Sequence, residues 1–572
     1  MNYFKPIYTE KADCQDCYKC VRMCPVKSIK VDKGSAAVIY ENCILCGECV
    51  LVCPSGAKKT RNDLDAVKNL LKFNEKVIVS LAPSFISEFS DLSYNQVISA
   101  IKKLGFYGVS ETALGAQEVS ANIAKLMKET SGQIYFSTAC PSVVEYVTKY
   151  HPESAKFLTP MLSPLLSQCK ILKKEFGQDS PVVFIGPCIA KKKEADDHSD
   201  LLDAVLTFQD LREWFKEARI NPASLPIDDP EGKFLPLQAN EGILYPVEGG
   251  MIKGIKHNLG KSKNIFMSFS GIKNINSAIT GIEKLTLEEN LFVELLACES
   301  GCINGPKVTH NKSNVIKRYN ILKKADQLGN SEPHSPMLDI SQDYLSNPVQ
   351  INKYSEEEIA NVLADIGKID EKYELNCAGC GYNTCKEFAA SILDNKSEKM
   401  MCVTYMRQLA QKKANALIAT MPSGIVIVDD KLKIIESNLN WAKLIGEEAE
   451  MMFDVKPGLE GASLVKMVPF HNLFQNVIDS GIDIVGKEIE YNGTILLFSI
   501  FTIEKHKVVG SIFRDITEPW EGKEQIITKA KQVIKKNLST VQKIAYLLGE
   551  NASETEIILN GIIESFSKDK IS

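Results

Sequence analysis

The feature that most constrains this chain is a cysteine motif that occurs twice near its N-terminus. The first copy has Cys14, Cys17, Cys20 and Cys24 followed by Pro25, and the second, 29 residues later, has Cys43, Cys46, Cys49 and Cys53 followed by Pro54. Three thiolates of such a loop converge on one 4Fe–4S cluster, and the fourth ligates the cluster of the other repeat. We therefore predict one cluster on Cys14, Cys17, Cys20 and Cys53 and a second on Cys43, Cys46, Cys49 and Cys24. Paired zinc knuckles are the alternative, which the repeated spacing and proline disfavour.

Composition limits the classes of protein to which the chain can belong. Its 572 residues carry a net charge of −5 and are 44% hydrophobic, enough for about three or four globular domains with no basic face for nucleic acid. No apolar run reaches the ~20 residues of a membrane span, and the start lacks a signal-peptide core. Seventeen cysteines with seven histidines, none of them near the motifs, favour iron–sulfur sites in a reducing cytoplasm over disulfides or Cys/His zinc sites.

Residues 63–367 alternate strand-like and helical patterns. Strands are predicted at 76–83, 133–137, 181–185, 264–270 and 291–297, with helices between them, as at 96–104 and 208–218. This order is typical of α/β layers with a largely parallel sheet, and ligands of such folds bind beyond the carboxyl ends of the strands. The stretch 327–354 is rich in Ser, Asn and Pro and predicts a surface excursion.

Four further cysteines follow three of these predicted strands, at positions 140, 188, 298 and 302. Any one of them alone is best explained as a buried core thiol. Together, with Pro or Gly beside each, Cys140, Cys188, Cys298 and Cys302 predict a functional four-sulfur centre.

A fourth cysteine set follows in residues 368–403. Its members are Cys377, Cys380, Cys385 and Cys402, and a helix is predicted from Cys385 to about Lys399. A four-thiolate zinc site stays open here because the spacing does not choose the metal. Iron is favoured by the other motifs of the chain.

Residues 404–572 lack cysteine. After a helix at 404–418, strands are predicted at 424–429, 432–436 and 508–516, with a hairpin turn at Asn492-Gly493. Beyond residue 518, apolar residues from Ile527 to Leu548 step by three and four along a helix. This stripe suits a partner helix or packing on its own domain equally well. A final helix is predicted from Ser553 to about Phe566.

The motifs around Cys140, Cys188 and Cys298–Cys302 resemble, in the same order, the three H-cluster signatures of the FeFe-hydrogenases. The resemblance implies a multidomain α/β and α+β protein. Its parts are a bacterial-ferredoxin-like two-cluster domain (1–62), an H-cluster α/β domain (63–367), a four-cysteine iron–sulfur domain (368–403), a PAS sensor domain with a leading helix (404–518) and C-terminal signalling or dimerisation helices (519–572). The PAS-like segment is similar to that of the sensory, group C branch of the family.

The resemblance also implies cofactors and roles. Cys140, Cys188, Cys298 and Cys302 would hold a fourth 4Fe–4S cluster, and Cys302 would bridge to a di-iron unit with CO, cyanide and azadithiolate ligands. Lys191 would donate to one cyanide, and the segment Ala82-Pro83-Ser84 would contact the other. The implied reaction is H2 ⇌ 2H+ + 2e−. The implied partners are ferredoxin or another redox carrier, a downstream signalling protein and a second copy of the chain.

This sequence departs from the family pattern where protons pass. Ala139 stands where turnover-specialised members have a cysteine, no acidic pair follows Gly115-Ala116, and Gly186 replaces a methionine. Because losing a positioned proton carrier typically costs ~10²–10⁴ in rate, we expect low turnover. Glu248 and Glu294 are the predicted substitute relay, although Glu294 could equally be a structural ion-pair partner, and Glu145 and Glu299 are weaker candidates.

Three functions remain open from the sequence. The first is a sensory hydrogenase that slowly oxidises H2 and relays H2 or redox state to the PAS domain. The second is an ordinary ferredoxin-linked hydrogenase, and the third is an iron–sulfur regulator without the di-iron unit. His471 and His506 are the only histidines of the PAS-like segment, and we expect no haem there.

Overall fold

The computed structural model describes residues 5–329, 332–517 and 527–536. These residues form two compact units, with the division between Tyr405 and Met406. Residues 527–536 are helical, whereas the rest of the predicted apolar stripe and the helix predicted from Ser553 lie outside the described residues. Within the described ranges, no helix has both the length and the apolar character that crossing a membrane requires.

The two cysteine repeats build the N-terminal part of the first unit from short elements. These are β1 (Ile7–Thr9), α1 (Lys19–Met23), β2 (Ile29–Asp32), β3 (Ser35–Val38), α2 (Glu48–Leu51) and β4 (Lys58–Thr60). Strand β1 pairs antiparallel with β4, and β2 with β3. Left-handed backbone recurs at equivalent positions of the two repeats: Asp16, Tyr18 and Lys27 in the first, and Leu45, Gly47 and Gly56 in the second. The duplication seen in the sequence therefore extends to the backbone conformation.

The following segment alternates helices and parallel strands. Its strands are β5 (Ile78–Leu81), β6 (Gly108–Glu111), β7 (Ile134–Phe136), β8 (Val182–Gly186), β9 (Ala204–Thr207), β10 (Ile265–Ser270) and β11 (Leu291–Leu296). Its helices are α3 (Leu64–Phe73), α4 (Phe85–Glu88), α5 (Tyr94–Lys102), α6 (Thr112–Glu129), α7 (Pro141–Tyr150), α8 (Pro164–Phe176), α9 (Lys191–Asp197), α10 (Phe208–Glu217), α11 (Gly250–Leu259), α12 (Ile272–Ile279) and α13 (Asn314–Leu328).

These strands form two parallel sheets rather than one. The first has the order β6-β5-β8-β9 and the second the order β10-β11-β7. Strands β6 and β9 were missed in the sequence because each runs directly into a helix. The carboxyl ends of β5, β7, β8 and β11 all lead to residues of the candidate site.

The segment after α13 is largely exposed, in agreement with the predicted surface excursion, and is anchored to the domain at a few points. The Glu118 carboxylate accepts hydrogen bonds from the backbone N–H groups of Met337 (2.7 Å) and Leu338 (2.9 Å). Ile340 is 2% exposed, and Ser341 forms an isolated β-bridge with Met161. Its polar composition hides these anchors because they involve main-chain groups and a few apolar side chains.

The four-cysteine segment contains α14 (Glu356–Asp365), α15 (Cys385–Leu393) and the start of α16 (Val403–Thr420). Helix α15 is shorter than predicted, since Asn395 adopts a left-handed φ of 55° shortly after its end. Buried side chains of this segment, among them Leu363, Tyr382 and Phe388, share one apolar core with Val21 and Ile29 of the cysteine repeats. The two cysteine-rich segments are therefore packed together.

The second unit is an antiparallel sheet with helices. Its strands are β12 (Gly424–Asp429), β13 (Ile434–Ser437), β14 (Ile484–Tyr491), β15 (Thr494–Glu504) and β16 (Val508–Asp515), in the order β13-β12-β16-β15-β14. Between β13 and β14 lie α17 (Leu439–Ile445), α18 (Glu447–Val455), α19 (Leu464–Met467) and α20 (His471–Ser480). The hairpin turn predicted at Asn492-Gly493 joins β14 to β15 with φ values of 50° and 78°.

Candidate functional site

The cysteine repeats bring eight thiols into two sets. Burial raises the pKa of Cys20, and negative charge at Cys14, Cys17 and Cys53 raises it further. Burial also raises the pKa of Cys49, with Cys46, Cys43 and Cys24 as its charged thiol neighbours. Cys53 and Cys24 thus each lie with the cysteines of the other repeat, which is the crossed arrangement that two clusters require.

The four central cysteines meet where parallel strands end. Cys140 immediately precedes α7, Cys188 follows β8, and Cys298 and Cys302 follow β11. Burial raises the pKa of Cys188 to about 11. It raises that of Cys298 further, and charge at Cys302, Cys140 and Cys188 adds to the effect. Thiols that are this costly to ionise alone become thiolates when metal cations bind them, so the donor set fits an iron–sulfur cluster.

A cavity of about 80 Å³ lies beside Cys302 at these strand ends. Its lining includes Ala82, Pro83, Ser84, Ala139, Lys191 and Cys302. Among the described residues, Cys302 is the one member of the central cysteine set that reaches this wall. The structure therefore brings together the lysine, the Ala-Pro-Ser segment and the cysteine that the sequence singled out.

Lys191 is held in place by a buried ion pair. Its Nζ donates to Glu194 Oε2 at 2.6 Å and to Ser163 Oγ at 3.1 Å, and the residue is 8% exposed. Glu194 offsets part of the lysine charge and fixes the side chain. An ammonium has three N–H donors, so one remains for a group in the cavity.

Ser84 supplies a second donor at the cavity wall. Its Oγ is buried and has no hydrogen-bond partner among the described residues. An unmet buried hydroxyl costs about 1–3 kcal/mol, so an acceptor in the cavity is its expected partner. Two donors in an otherwise largely apolar wall fit a group with cyanide acceptors and apolar carbonyl ligands, as the di-iron unit has.

Phe184 occupies the space left at Gly186. A Cβ on Gly186 would lie 2.4 Å from Cζ of Phe184 and 2.8 Å from Cβ of Ala82. Phe184 and Gly186 lie on the same face of β8, two residues apart. The packing change expected from Gly186 is therefore compensated by an aromatic ring that also lines the cavity.

Glu294 lies in β11 and is 1% exposed. Its carboxylate accepts hydrogen bonds from Gly249 N (2.7 Å), Met251 N (3.0 Å) and Ser268 Oγ (3.1 Å). Two of these donors are main-chain groups at the start of α11, where a helix dipole favours negative charge. Burial nevertheless raises the pKa of Glu294 to about 7, and charge at Glu248 contributes. These contacts are hydrogen bonds, unlike the ion pair considered from the sequence.

The two candidate relay acids do not reach the cavity wall. Glu248 accepts a hydrogen bond from Ser270 Oγ at 2.5 Å and lies near Glu294. Burial raises the pKa of Cys302, and the charge of Glu294 is among the smaller contributions. Glu294 is therefore a neighbour of the Cys302 thiol that stands behind the wall of the cavity rather than on it.

The remaining sequence candidates lie elsewhere. Glu145 pairs with Lys149 (2.7 Å) and Lys193 (3.2 Å) in a separate cavity of about 130 Å³. Glu299 is exposed. Cys169, outside every motif, is fully buried in α8.

The second thiol set lies against the central one. The charge of Cys46 is among those that raise the pKa of Cys298. Gly47, with a left-handed φ of 81°, approaches so closely that a Cβ would lie 2.6 Å from Pro306 and 3.0 Å from Ile189. Lys149 adds a hydrogen bond to the carbonyl oxygen of Cys43 at 2.9 Å. Close contact between the set containing Cys46 and the set containing Cys298 suits electron exchange between clusters bound at the two sets.

The C-terminal cysteine set is partly assembled by local hydrogen bonds. Burial raises the pKa of Cys380, with charge contributions from Cys402 and Cys385. The backbone N–H of Cys385 donates to Asn376 Oδ1 at 2.7 Å, and Cys377 is exposed. Among the described residues, no three Cys, His, Asp or Glu side chains are grouped closely enough to hold a single metal ion.

Several residues that line the cavity or support its wall were not predicted from the sequence. Glu194 had a local signal, since it stands three positions after Lys191 on one helix face. Tyr245 lines the cavity and bonds to Ser120 through its hydroxyl (2.8 Å), and it is a charge neighbour of Glu294. Tyr245, Ser163 and Ser120 gave no signal because their positions depend on distant parts of the chain.

Three known families match parts of this chain. Residues 75–306 match the iron only hydrogenase large subunit, C-terminal domain. Residues 13–57 match a 4Fe-4S dicluster domain, and residues 374–404 match an Fe-S cluster family. These matches favour iron over zinc at both the N-terminal and the C-terminal cysteine sets.

Individual relatives are distant. Iron hydrogenase 1 of Clostridium pasteurianum is 25% identical over 337 residues, which are 49% of this chain and 58% of that protein. The NADP-reducing hydrogenase subunit HndD of Solidesulfovibrio fructosivorans is 25% identical over 414 residues, 59% of this chain and 70% of that protein. The cytosolic Fe-S cluster assembly factor NAR1 homolog of Schizosaccharomyces japonicus is 23% identical over 242 residues, 34% of this chain and 46% of that protein.

The site and these matches define a class. The chain carries a FeFe-hydrogenase-like domain together with a ferredoxin-like 4Fe–4S domain. It is a hydrogenase-like iron–sulfur protein, and it spans less than two thirds of the length of Iron hydrogenase 1.

Proposed function

We propose that this protein is a sensory FeFe-hydrogenase that binds H2 and reacts with it slowly at a di-iron unit beside Cys302. The observation that carries the proposal is the cavity whose wall combines the Cys302 thiol with the Lys191 ammonium and the unpartnered Ser84 hydroxyl. When bound, the di-iron unit supplies the open metal site and the basic amine at which H2 is split into protons and electrons.

The residues of the chain supply position, polarity and exclusion of water. Cys302 would anchor the unit through its thiolate. Lys191 Nζ and Ser84 Oγ would each donate a hydrogen bond to a cyanide nitrogen. Phe184 and Leu165 provide apolar walls for carbonyl ligands, and such a dry setting strengthens both hydrogen bonds.

Low turnover of H2 follows because the cavity wall has no acidic side chain at position 139 to exchange protons. Ala139 has no proton to exchange, and Glu294, whose pKa of about 7 suits a proton carrier near neutral pH, stands behind the wall. We propose that Glu294 and Glu248 hold the protons that leave or reach the site, with Ser268 Oγ and Ser270 Oγ as their hydrogen-bonded neighbours. The longer path is the reason for the slow reaction.

The cysteine sets would carry electrons between the cavity and the outside. The set of Cys43, Cys46, Cys49 and Cys24, called set two, lies next to Cys298 and would hold the first 4Fe–4S cluster along this route. Ferredoxin or a similar small redox carrier in a reducing cytoplasm is the proposed partner. The second unit would be a PAS domain, which its five-stranded antiparallel sheet supports, and it would pass the signal to a further protein or a second copy of the chain.

Isotope exchange tests the reaction with H2. Maturated protein under D2 in ordinary water should release HD slowly, because the site splits D2 and the deuterons exchange with solvent. The variant Cys302→Ser should release none while keeping the iron of its other clusters. HD release at the same rate from both proteins, or from neither, would rule out the proposed reaction.

A second candidate function is an iron–sulfur protein that never binds the di-iron unit. The similarity to a cytosolic Fe-S cluster assembly factor favours it. In that case Ser84 and Lys191 would have no partner in the cavity, and Ser84→Ala would leave the spectra of the clusters unchanged.

A further inference from the structure

Lys27 occupies a backbone position that is unfavourable for its side chain. Its φ is 49°, in the left-handed region, and the equivalent residue of the second repeat is Gly56, with φ of 66°. Glycine adopts this conformation without penalty, whereas a lysine does not. The side chain of Lys27 is therefore kept against a local conformational cost, which calls for a compensating contact.

The compensating contacts fix the Lys27 ammonium at the end of α1. Its Nζ donates to the carbonyl oxygens of Val21 (3.2 Å) and Arg22 (3.0 Å). It also lies 6.0 Å from the ring centroid of Tyr382. Tyr382 belongs to the C-terminal cysteine segment and is itself held by a hydrogen bond from Ser397 Oγ at 3.0 Å.

The two cysteine segments are in close contact at the same place. A Cβ on Gly381 would lie 2.9 Å from Cγ1 of Val21. Arg22 donates to the carbonyl oxygen of Cys17 at 3.0 Å and to that of Gly379 at 3.3 Å. One arginine thus links a ligand loop of the N-terminal sets to the ligand loop of the C-terminal set.

Lys27 has charged neighbours from both sides of this contact. The groups that interact with its ammonium are Cys24, Cys380 and Glu387. Cys24 belongs to set two, which lies beside the central site, and Cys380 belongs to the C-terminal set. The half-buried ammonium therefore interacts with one cysteine of set two and one cysteine of the C-terminal set.

We propose that Lys27 is a positioning residue, a positive charge shared by Cys24 and Cys380 that raises the reduction potentials of both set two and the C-terminal set. An electron added to the cluster of either set brings negative charge next to the Lys27 ammonium. The attraction between the two charges stabilises the reduced cluster. No bond or proton changes in this step, and the electron comes from the reductant supplied. The inference rests on iron–sulfur clusters in both sets and not on any reaction with H2.

Redox titration of Lys27→Gly tests the proposal. This variant restores the residue found at Gly56, so it should fold at least as well as the parent while losing the charge. The protein is loaded with iron–sulfur clusters alone, reduced stepwise with dithionite and followed by electron paramagnetic resonance. The variant Cys402→Ser identifies the signal of the C-terminal set. We expect the midpoint potentials of both sets to shift to more negative values in Lys27→Gly, and Lys27→Arg to keep the parent potentials.

Lys19→Gln is the matched control, because Lys19 is an exposed cation at the start of α1, the helix whose last carbonyl oxygens accept hydrogen bonds from Lys27. It should leave the potential of the C-terminal set unchanged. If Lys27→Gly leaves either potential in place, or if Lys19→Gln shifts both sets equally, the shared-charge proposal is wrong. Because no H2 and no di-iron unit are present, this result is independent of the proposed H2 chemistry.

Discussion

Ala139 lies on the cavity wall with Cys302, and its methyl group can neither give nor accept a proton. Replacing it with cysteine would place a thiol where turnover-specialised relatives have one. We predict that Ala139→Cys raises H2 evolution from a reduced viologen by about 10²–10⁴, the usual contribution of a positioned proton carrier. Ala139→Val has a side chain of similar size without an acidic proton and should not raise the rate. Equal rates for the two variants would contradict the account of low turnover.

Ser84 and Ser87 lie three residues apart, and we expect opposite effects when each is replaced by alanine. Ser84 Oγ has no partner among the described residues, whereas Ser87 Oγ donates to the carbonyl oxygen of Ser84 at 2.9 Å. Ser84→Ala should stabilise the unloaded protein by about 1–3 kcal/mol, because it removes an unmet buried hydroxyl, and should shift an infrared cyanide band of the loaded protein. Ser87→Ala should lose about 1 kcal/mol and leave that band in place. Urea unfolding and infrared spectra of both variants check this, and a reversed pattern would refute it.

Glu294 makes stability depend on pH. Its pKa is raised from 4.5 to about 7 in the folded protein, so the folded state binds the proton more tightly than the unfolded state. Stability should therefore fall as pH rises from about 4.5 to 7, by at most about 3 kcal/mol. In Glu294→Gln this fall should be absent, while the exposed control Glu299→Gln should keep it. Urea unfolding at pH 5 and pH 7.5 measures the difference.

Residue spacing was sufficient to predict the thiol sets but not the polar contacts of the cavity. Three cysteines of each N-terminal set come from one ligand loop, which is local in sequence, and the repeat itself indicates the crossed fourth cysteine. The ion pair of Lys191 with Glu194 could have been read from the helical spacing. The missing partner of Ser84 and the bonds of Glu294 to the start of α11 depend on elements far apart in the chain, which no local pattern reports.

At the scale of elements, Gly47 keeps the second ligand loop against the central site. A side chain there would collide with Pro306 at 2.6 Å and would strain a φ of 81°. We predict that Gly47→Ala destabilises the loaded protein by about 2–4 kcal/mol, from overpacking and the left-handed backbone together. Gly56→Ala has a similar φ of 66° and nothing within 4 Å, so it should lose only the backbone contribution. A urea titration that finds equal losses would show that the contact is not tight.

Strand positions were largely predictable, whereas their grouping was not. Buried runs such as β5 and β8 stand out by their apolar residues, but β6 and β9 run directly into a helix, which hides the strand in the helical pattern. The division into two sheets depends on β8 pairing with β5 rather than with β7. The segment after α13 could be predicted as a polar surface loop, but its anchoring by Glu118 could not, because the anchors are main-chain groups.

At the scale of the whole molecule, the sensory proposal requires that the second unit respond to the state of the first. We predict that hydrogen–deuterium exchange within residues 404–550 differs between protein held under H2 and protein held under an oxidant. The physical reason is that a redox change of one charge near the C-terminal cysteine set can bias a neighbouring segment by ~1–3 kcal/mol. Cys302→Ser should abolish the difference. Identical exchange in the parent protein would contradict a sensing role.

Infrared spectroscopy of the maturated protein tests most directly whether a di-iron unit occupies the cavity beside Cys302. Carbon monoxide and cyanide bound to iron absorb where proteins have no bands of their own. We predict such bands in the parent protein, a shifted cyanide band in Lys191→Met and Ser84→Ala, and none in Cys302→Ser. A fully maturated parent protein without these bands would contradict it, whatever iron–sulfur clusters it contained.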